Sequence, residues 1–140
     1  MPHPWEPSYP PECRWAAPIA TTTLPAFLDS IATRHATRPA LEYRGQTLTY
    51  AELKHRADRL AAGLLAQGVT QTDCIALLLP NTPWHPVAFF AALRTGARVV
   101  HLSALDARRE LALKLRDSKA TLLLTTDIGA LPGTASLDIW

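Results

Sequence analysis

The length, composition and charge of the chain are those of a globular protein with one domain of ordinary size. Its 140 residues are 48% hydrophobic and 19% charged, which excludes an intrinsically disordered chain. The formal net charge is +2 and the eleven arginines are scattered, so we expect no nucleic-acid partner. The sequence shows no signal-peptide pattern and no apolar run near the ~20 residues that cross a bilayer. We therefore expect no transmembrane segment and a cytoplasmic location.

Residues 1–25 are predicted to form a proline-rich N-terminal arm. They hold seven of the twelve prolines, which disfavours a helix and favours an extended chain. Trp5, Tyr9 and Trp15 lie between these prolines, so we expect the arm to dock along the folded body. A free tail is the alternative. Residues 26–140 are assigned to one α/β unit.

The first elements after the arm are predicted to be a helix and a hairpin. Apolar residues from Leu24 to Ile31 recur at helical spacing, and we expect this helix to end at Arg38-Pro39. Residues that alternate between apolar and polar on either side of Arg44-Gly45 predict a β-hairpin, since glycine favours a tight turn.

A second helix should begin with a capping box, in which Thr49 and Glu52 satisfy each other's backbone amides. Gly68 follows the pattern where a helix is expected to end. One apolar stripe is expected along this helix, and it comprises Leu53, Ala57, Leu60, Ala61 and Leu64.

Three apolar runs, CIALLLP, RVVHLS and TLLLTT, alternate with two helical patterns in the second half of the chain. Continuous apolar runs are typical of parallel strands that are covered on both faces. The β-α-β-α-β order predicts a right-handed parallel sheet. The expected fold class is therefore α/β, with a β-hairpin plus a partial parallel sheet and covering helices.

The two helices between these runs have expected caps. Asn81 or Thr82 should cap the first, with Pro83 in its first turn, and its pattern runs to Gly96. Asp106 should cap the second helix. Its inward-facing residues are expected to be Leu111 and Leu115.

Cysteine and histidine spacing predicts neither a disulfide nor a metal site. Cys13 lies in the arm, whereas Cys74 opens an apolar run and is expected to be a small buried side chain. No histidine has another histidine or a cysteine three or four residues away, so we expect isolated histidines. They are His3, His35, His55, His85 and His101.

No stretch supplies a phosphate loop or a catalytic constellation. Residues 80–86 contain no glycine, and their prolines remove amide donors that a phosphate needs. The stretch TTDIGALPGTA has two glycines, but no lysine follows it. Asp106, Glu110 and Asp117 alternate with basic residues, which predicts a solvated helix face. We therefore assign no catalytic, cofactor-binding or metal-binding residue.

Three phrases in order resemble the N-terminal region of adenylate-forming (AMP-dependent) acyl-CoA synthetases. They are YRGQTLTYAELKHRADRLAAGLLAQGV, DCIALLLPNTPWHPVAFFAALRTGARVVHLS and RELALKLRDSKATLLLTTD. The resemblance covers residues 20 to about 128. The phrases SYPPECRWAAPI and VVHLS resemble the bacterial branch of long-chain fatty-acid and dicarboxylate CoA ligases.

The resemblance implies an acid–thiol ligase. Such an enzyme uses ATP and magnesium to convert a fatty or dicarboxylic acid into an acyl adenylate, and then transfers the acyl group to coenzyme A. Relatives use a Ser/Thr/Gly-rich loop, an acidic adenosine-binding segment and a lysine on a mobile domain, all of which come after the region matched here. The implied protein is an N-terminal fragment that binds no cofactor and is inactive without the missing remainder. The alternative is a stand-alone non-catalytic α/β module that pairs with a partner or with a separately encoded remainder.

Overall fold

A computed structural model describes residues 3–10, 12–13, 17–19 and 21–126. It confirms the predicted α/β class, because an antiparallel hairpin is followed by a parallel sheet of three strands. The elements are a 3₁₀ helix at Glu6–Ser8, α1 (Leu24–Arg34), β1 (Pro39–Tyr43), β2 (Gln46–Thr49), α2 (Tyr50–Ala66), β3 (Cys74–Leu78), α3 (Trp84–Arg94), β4 (Arg98–His101), α4 (Arg108–Ser118) and β5 (Leu122–Thr125).

The parallel sheet has the order β4-β3-β5, with β3 in the centre. Side chains of a strand alternate between the two faces of its sheet. Ile75 and Leu77 accordingly pack in one cluster with the alanines of α2 and α3. Ala76 and Leu78 belong to a second cluster, which contains Leu111 of α4. Both faces of β3 are therefore covered, which explains its unbroken apolar run.

The two outer strands are less buried than the central strand. All five residues of β3 are buried, but most of β4 and β5 is only partly buried or exposed. Each outer strand pairs with β3 on one side and has no neighbouring strand on its other side within the described residues. The expectation of a second buried strand was therefore wrong for β4, although Val99 and Val100 still pack on the two clusters, one on each face of the sheet.

The hairpin and the start of α2 form as predicted. Arg44 and Gly45 both have positive φ, at 51° and 77°, which the tight turn between β1 and β2 requires. Thr49 Oγ1 accepts a hydrogen bond from the Glu52 amide at 3.3 Å, and the Glu52 carboxylate accepts from the Thr49 amide at 2.8 Å. The predicted stripe faces inward, with Leu60 only partly buried. Helix α2 ends two residues before Gly68, whose φ is 87°.

Helix α1 ends at Arg34 rather than at Arg38-Pro39. The carbonyls of Ala36 and Arg38 instead accept hydrogen bonds from the first amides of α2, those of Ala51 and Tyr50, at 3.1 Å each. The first amides of a helix have no partner within the helix. The segment after α1 therefore supplies hydrogen-bond acceptors for the first amides of α2.

The predicted caps of the other two helices were also wrong. Pro83 is the N-terminal boundary residue of α3, and no side chain caps that helix. Ala107 occupies the same position in α4. The Asp106 carboxylate instead accepts from the Ser103 amide at 3.1 Å and from Lys114 at 2.7 Å, so it closes the loop before the helix.

The described part of the arm contains a short 3₁₀ turn, where an extended chain was expected. The Glu6 carboxylate accepts from the His3 amide at 2.7 Å, and Trp5 and Tyr9 remain nearly half exposed. Trp15 and residues 127–140 lie outside the described residues, so the docked arm stays a prediction. No helix in the described ranges is long and apolar enough to span a membrane.

Candidate functional site

The turn that follows β3 is built of prolines and of amides that are already engaged. The amides of Thr82, His85 and Val87 donate to carbonyls within the turn, at 2.7, 3.0 and 3.4 Å. Prolines at positions 80, 83 and 86 have no amide hydrogen to offer. A triphosphate needs several converging amides and a cation. Residues 80–86 do not fit such a ligand, and they serve as scaffold.

An open cleft of about 740 Å³ lies beside this turn, where β3 and β5 end. Three cationic or titratable side chains of α2, His55, Arg56 and Arg59, line it, and no carboxylate of the described residues does. The guanidinium of Arg56 lies over the half-exposed ring of Trp84, 5.8 Å from its centroid. The remaining lining residues are Leu60, Gly63, Leu79, Val87, Ala88, Leu124, Thr125 and Thr126.

The lining of this cleft is suited to an anionic or amphipathic group. Ligands of open α/β sheets bind beyond the carboxyl ends of the strands, which is where the cleft opens. The sequence patterns did not indicate this cleft. The available signal was the i,i+3 pair Arg56 and Arg59 beside an apolar stripe on α2, but this pattern is also that of an ordinary solvated helix face.

A network of four charges joins the three helices that surround the hairpin and the sheet. Arg94 of α3 forms hydrogen bonds to both carboxylate oxygens of Asp29 in α1, and its Nε lies 2.8 Å from Asp58 of α2. Lys54 contacts Asp29 at 3.4 Å and Asp58 at 2.5 Å. The hydrogen bond from Arg94 holds the pKa of the Asp29 carboxyl below its usual value. The network fixes α1 against α2 and α3 and therefore supports the wall of the cleft.

Two histidines that were expected to be isolated lie in contact. His85, in the first turn of α3, and His101, the last residue of β4, place Nε2 and Nδ1 3.0 Å apart. Their rings are stacked at 23°, and Phe89 lies beside the ring of His101. Partial desolvation of the ring and its proximity to His85 lower the pKa of His101. The expectation of isolated histidines was wrong here, because a parallel strand ends beside the start of the neighbouring helix.

The remaining candidate residues follow the prediction more closely. Lys114 contacts Glu110 at 3.0 Å, which confirms an i,i+4 ion pair on α4. Lys114 also contacts Asp106 at 2.7 Å, but this residue lies before the helix and its side chain is only 13% exposed, so it does not belong to the solvated face. Cys74 is buried as expected, and Cys13 is exposed. Within the described ranges, no three His, Cys, Asp or Glu side chains come together as a metal-binding group.

The sequence of this chain is similar to the sequences of known proteins. The sequence profile of the family described as "AMP-binding enzyme" matches residues 28–138. A long-chain-fatty-acid–CoA ligase of Bacillus subtilis (strain 168) is 30% identical over 125 residues, which are 89% of this chain and 22% of that protein. The chain spans about a fifth of the length of the long-chain-fatty-acid–CoA ligases it matches.

Solved structures share its fold. NpsA-ThdA, an artificially fused adenylation-PCP di-domain NRPS from Klebsiella oxytoca, matches with a TM-score of 0.75 at 26% identity, over 79% of this chain and 21% of that one. The NpsA N-terminal subdomain in complex with anthranilyl-AMSN matches with a TM-score of 0.76 at 26% identity, over 79% of this chain and 29% of that one. With most of its length matched by one family, the chain belongs to the AMP-binding enzymes, and it corresponds to the N-terminal region of an adenylate-forming enzyme.

Proposed function

We propose that this chain is the N-terminal part of an ATP-dependent acyl-CoA ligase that acts on a fatty or dicarboxylic acid. Residues 26–140 are the first part of the AMP-binding domain, and residues 1–25 are an arm attached to it. The observation that carries this proposal is the alignment of 89% of the chain with a long-chain-fatty-acid–CoA ligase. That alignment spans the hairpin, the parallel sheet and the helices that cover it.

In this proposal the described residues act as a scaffold. The central strand β3 is covered on both faces, so it gives rigid support to the turn and to the start of α3. The charge network locks α1, α2 and α3 together behind the cleft. Accurate placement of reacting groups depends on support of this kind.

Chemistry is assigned to the remainder of the domain. When bound there, ATP, magnesium and coenzyme A supply the leaving pyrophosphate, the charge neutralisation and the accepting thiol. The prolines and engaged amides of residues 80–86 do not fit a triphosphate, so no step is assigned to this turn. The 140 residues alone should therefore form no acyl adenylate.

A second candidate is the adenylation domain of a non-ribosomal peptide synthetase. It is supported by the TM-score of 0.75 to the adenylation-PCP di-domain, over 79% of this chain. The two candidates share the adenylation step and differ in the acid that is activated and in the thiol that accepts the acyl group. The sequence alignment with the CoA ligase spans more of the chain, so we place the ligase first.

The test compares the 140 residues with a completed domain, in which they are followed by the downstream reading frame or by the matching remainder of the Bacillus subtilis relative. Pyrophosphate release is measured with ATP, magnesium and panels of fatty, dicarboxylic, aryl and amino acids, and thioester formation on coenzyme A is measured by mass spectrometry. We expect no release from the 140 residues, and acyl-CoA from the completed domain with its native downstream sequence.

Three results would contradict this proposal in different ways. Turnover by the 140 residues alone would refute the scaffold role. Release that requires an amino or aryl acid, without a CoA thioester, would favour the second candidate. A folded completed domain that releases no pyrophosphate with any acid would favour the stand-alone non-catalytic module.

A further inference from the structure

The ring nitrogens of His85 and His101 lie close enough together to bind one metal ion. His85 Nε2 and His101 Nδ1 face each other at 3.0 Å. Two imidazole nitrogens that bind one zinc ion at 2.0–2.1 Å in tetrahedral geometry are roughly 3.3 Å apart. A metal ion could replace the shared hydrogen if the nitrogens separate by about 0.3 Å and each ring turns so that its lone pair points at the ion.

We propose that His85 and His101 form a binding site for a borderline divalent cation such as Zn²⁺, with water completing the coordination. The site is distinct from the cleft, because neither histidine lines it. It also differs from any magnesium site of the adenylation reaction, since Mg²⁺ prefers oxygen ligands and imidazole prefers zinc, copper and nickel.

The local structure holds the two ligands in place. His85 lies in the first turn of α3 and His101 ends β4, and both elements pack on the buried strand β3. The ring of Phe89 lies 5.3 Å from that of His101, centroid to centroid, and packs beside it. A ligand pair that is held before the metal arrives loses little side-chain entropy on binding.

Solvent access also favours a metal. His101 is exposed and His85 is partly exposed, so an ion and its waters can reach the nitrogens. Because no third His, Cys, Asp or Glu joins the pair among the described residues, the site should be open to solvent and of moderate affinity.

The test is a Zn²⁺ titration of the 140-residue chain at neutral pH, in competition with a chromogenic chelator. His3 and Cys13 are first replaced by His3→Ala and Cys13→Ser, because both are exposed donors in the arm. The variants His85→Gln and His101→Asn keep a polar group near each ring nitrogen and remove the imidazole. His35→Gln is the matched control, since it removes a histidine at the end of α1.

We expect one Zn²⁺ per chain, unchanged binding in the His35→Gln control, and a loss of affinity of roughly 10²-fold in each pair variant. Two linked binding groups typically bind about 10²–10⁴-fold more tightly than one group alone, and we take the lower end of that range. Excess Mg²⁺ should not displace the ion. The imidazole ¹⁵N signals of His85 and His101 should shift together on titration, which tests the parent chain without relying on any variant.

Absence of Zn²⁺ binding to the parent chain would overturn the proposal. So would full affinity in either pair variant, or ¹⁵N shifts confined to other histidines. None of these outcomes depends on adenylation activity, so this proposal fails or stands independently of the function proposed above.

Discussion

The charge network of Asp29, Lys54, Asp58 and Arg94 gives a prediction whose size follows from the structure. The substitution Arg94→Met keeps an unbranched apolar stem and removes the guanidinium and its charge. The Arg94 side chain is 16% exposed, but its partners Asp29 and Asp58 are 43% and 37% exposed. A buried charge-assisted hydrogen bond contributes ~1.5–3 kcal/mol and an exposed pair ~0.2–1.

For this half-exposed network we expect a loss of about 1.5 kcal/mol, because Lys54 remains to neutralise both carboxylates. The loss should appear as faster opening of α1, since Asp29 is the only member of the network on that helix. About 1.4 kcal/mol corresponds to a tenfold change in an equilibrium constant. Hydrogen exchange of the α1 amides should therefore be roughly tenfold faster in Arg94→Met.

Two controls make this result specific. The amides of α4, which does not contact the network, should keep their exchange rates. Arg34→Met removes a charge from the last turn of α1, where Arg34 is exposed and forms no ion pair within the described residues. It should leave α1 exchange nearly unchanged. Equal acceleration in α1 and α4, or no acceleration in α1, would refute the reasoning.

The same network sets a pH dependence. Arg94 lowers the pKa of folded Asp29 below its unfolded value of 3.8. The unfolded state therefore binds more protons in this range, so the stabilisation is complete above the unfolded pKa and is lost as pH falls through the folded pKa. In wild type, α1 exchange should accelerate on acidification through this range, after correction for the intrinsic rate. This acceleration should be smaller in Arg94→Met.

The remaining predictions concern single features of the fold. Gly45→Ala should cost about 1 kcal/mol and accelerate exchange in the hairpin, because Gly45 has φ 77° although no atom lies within 4 Å of an added Cβ. Gly63 is equally uncrowded but lies inside α2, so Gly63→Ala should slow hydrogen exchange in that helix. A change of the exchange rate in the same direction for both glycine substitutions would contradict the argument. Thr49→Ala should remove the capping box, cost about 1 kcal/mol and accelerate exchange at the start of α2, whereas the exposed Thr47→Ala should not. The outer edges of β4 and β5 have no strand partner in the described part, so the 140-residue chain alone should self-associate and bind the dye ANS. A monomer with a sharp cooperative melt and no dye binding would show that these edges are protected.

The order of the elements and several of their ends could be predicted because the determining interactions are local. The capping box joins Thr49 to Glu52, and the hairpin turn depends on the neighbours Arg44 and Gly45. The unbroken apolar run of β3 reports its burial on both faces. Each of these patterns involves only a few consecutive residues, so it can be recognised in the sequence without knowledge of the fold.

Contacts between distant residues were decided by the tertiary structure. Asp29 and Arg94 are 65 positions apart, and His85 and His101 are 16 apart. Whether such residues meet depends on the rotation of each helix and on the order of strands in the sheet, which no local pattern encodes. For the same reason the three apolar runs did not show which strand is central, and the sheet places β3 between β4 and β5. The local chemistry of the chain thus determines which elements form, and their packing determines which side chains can act together.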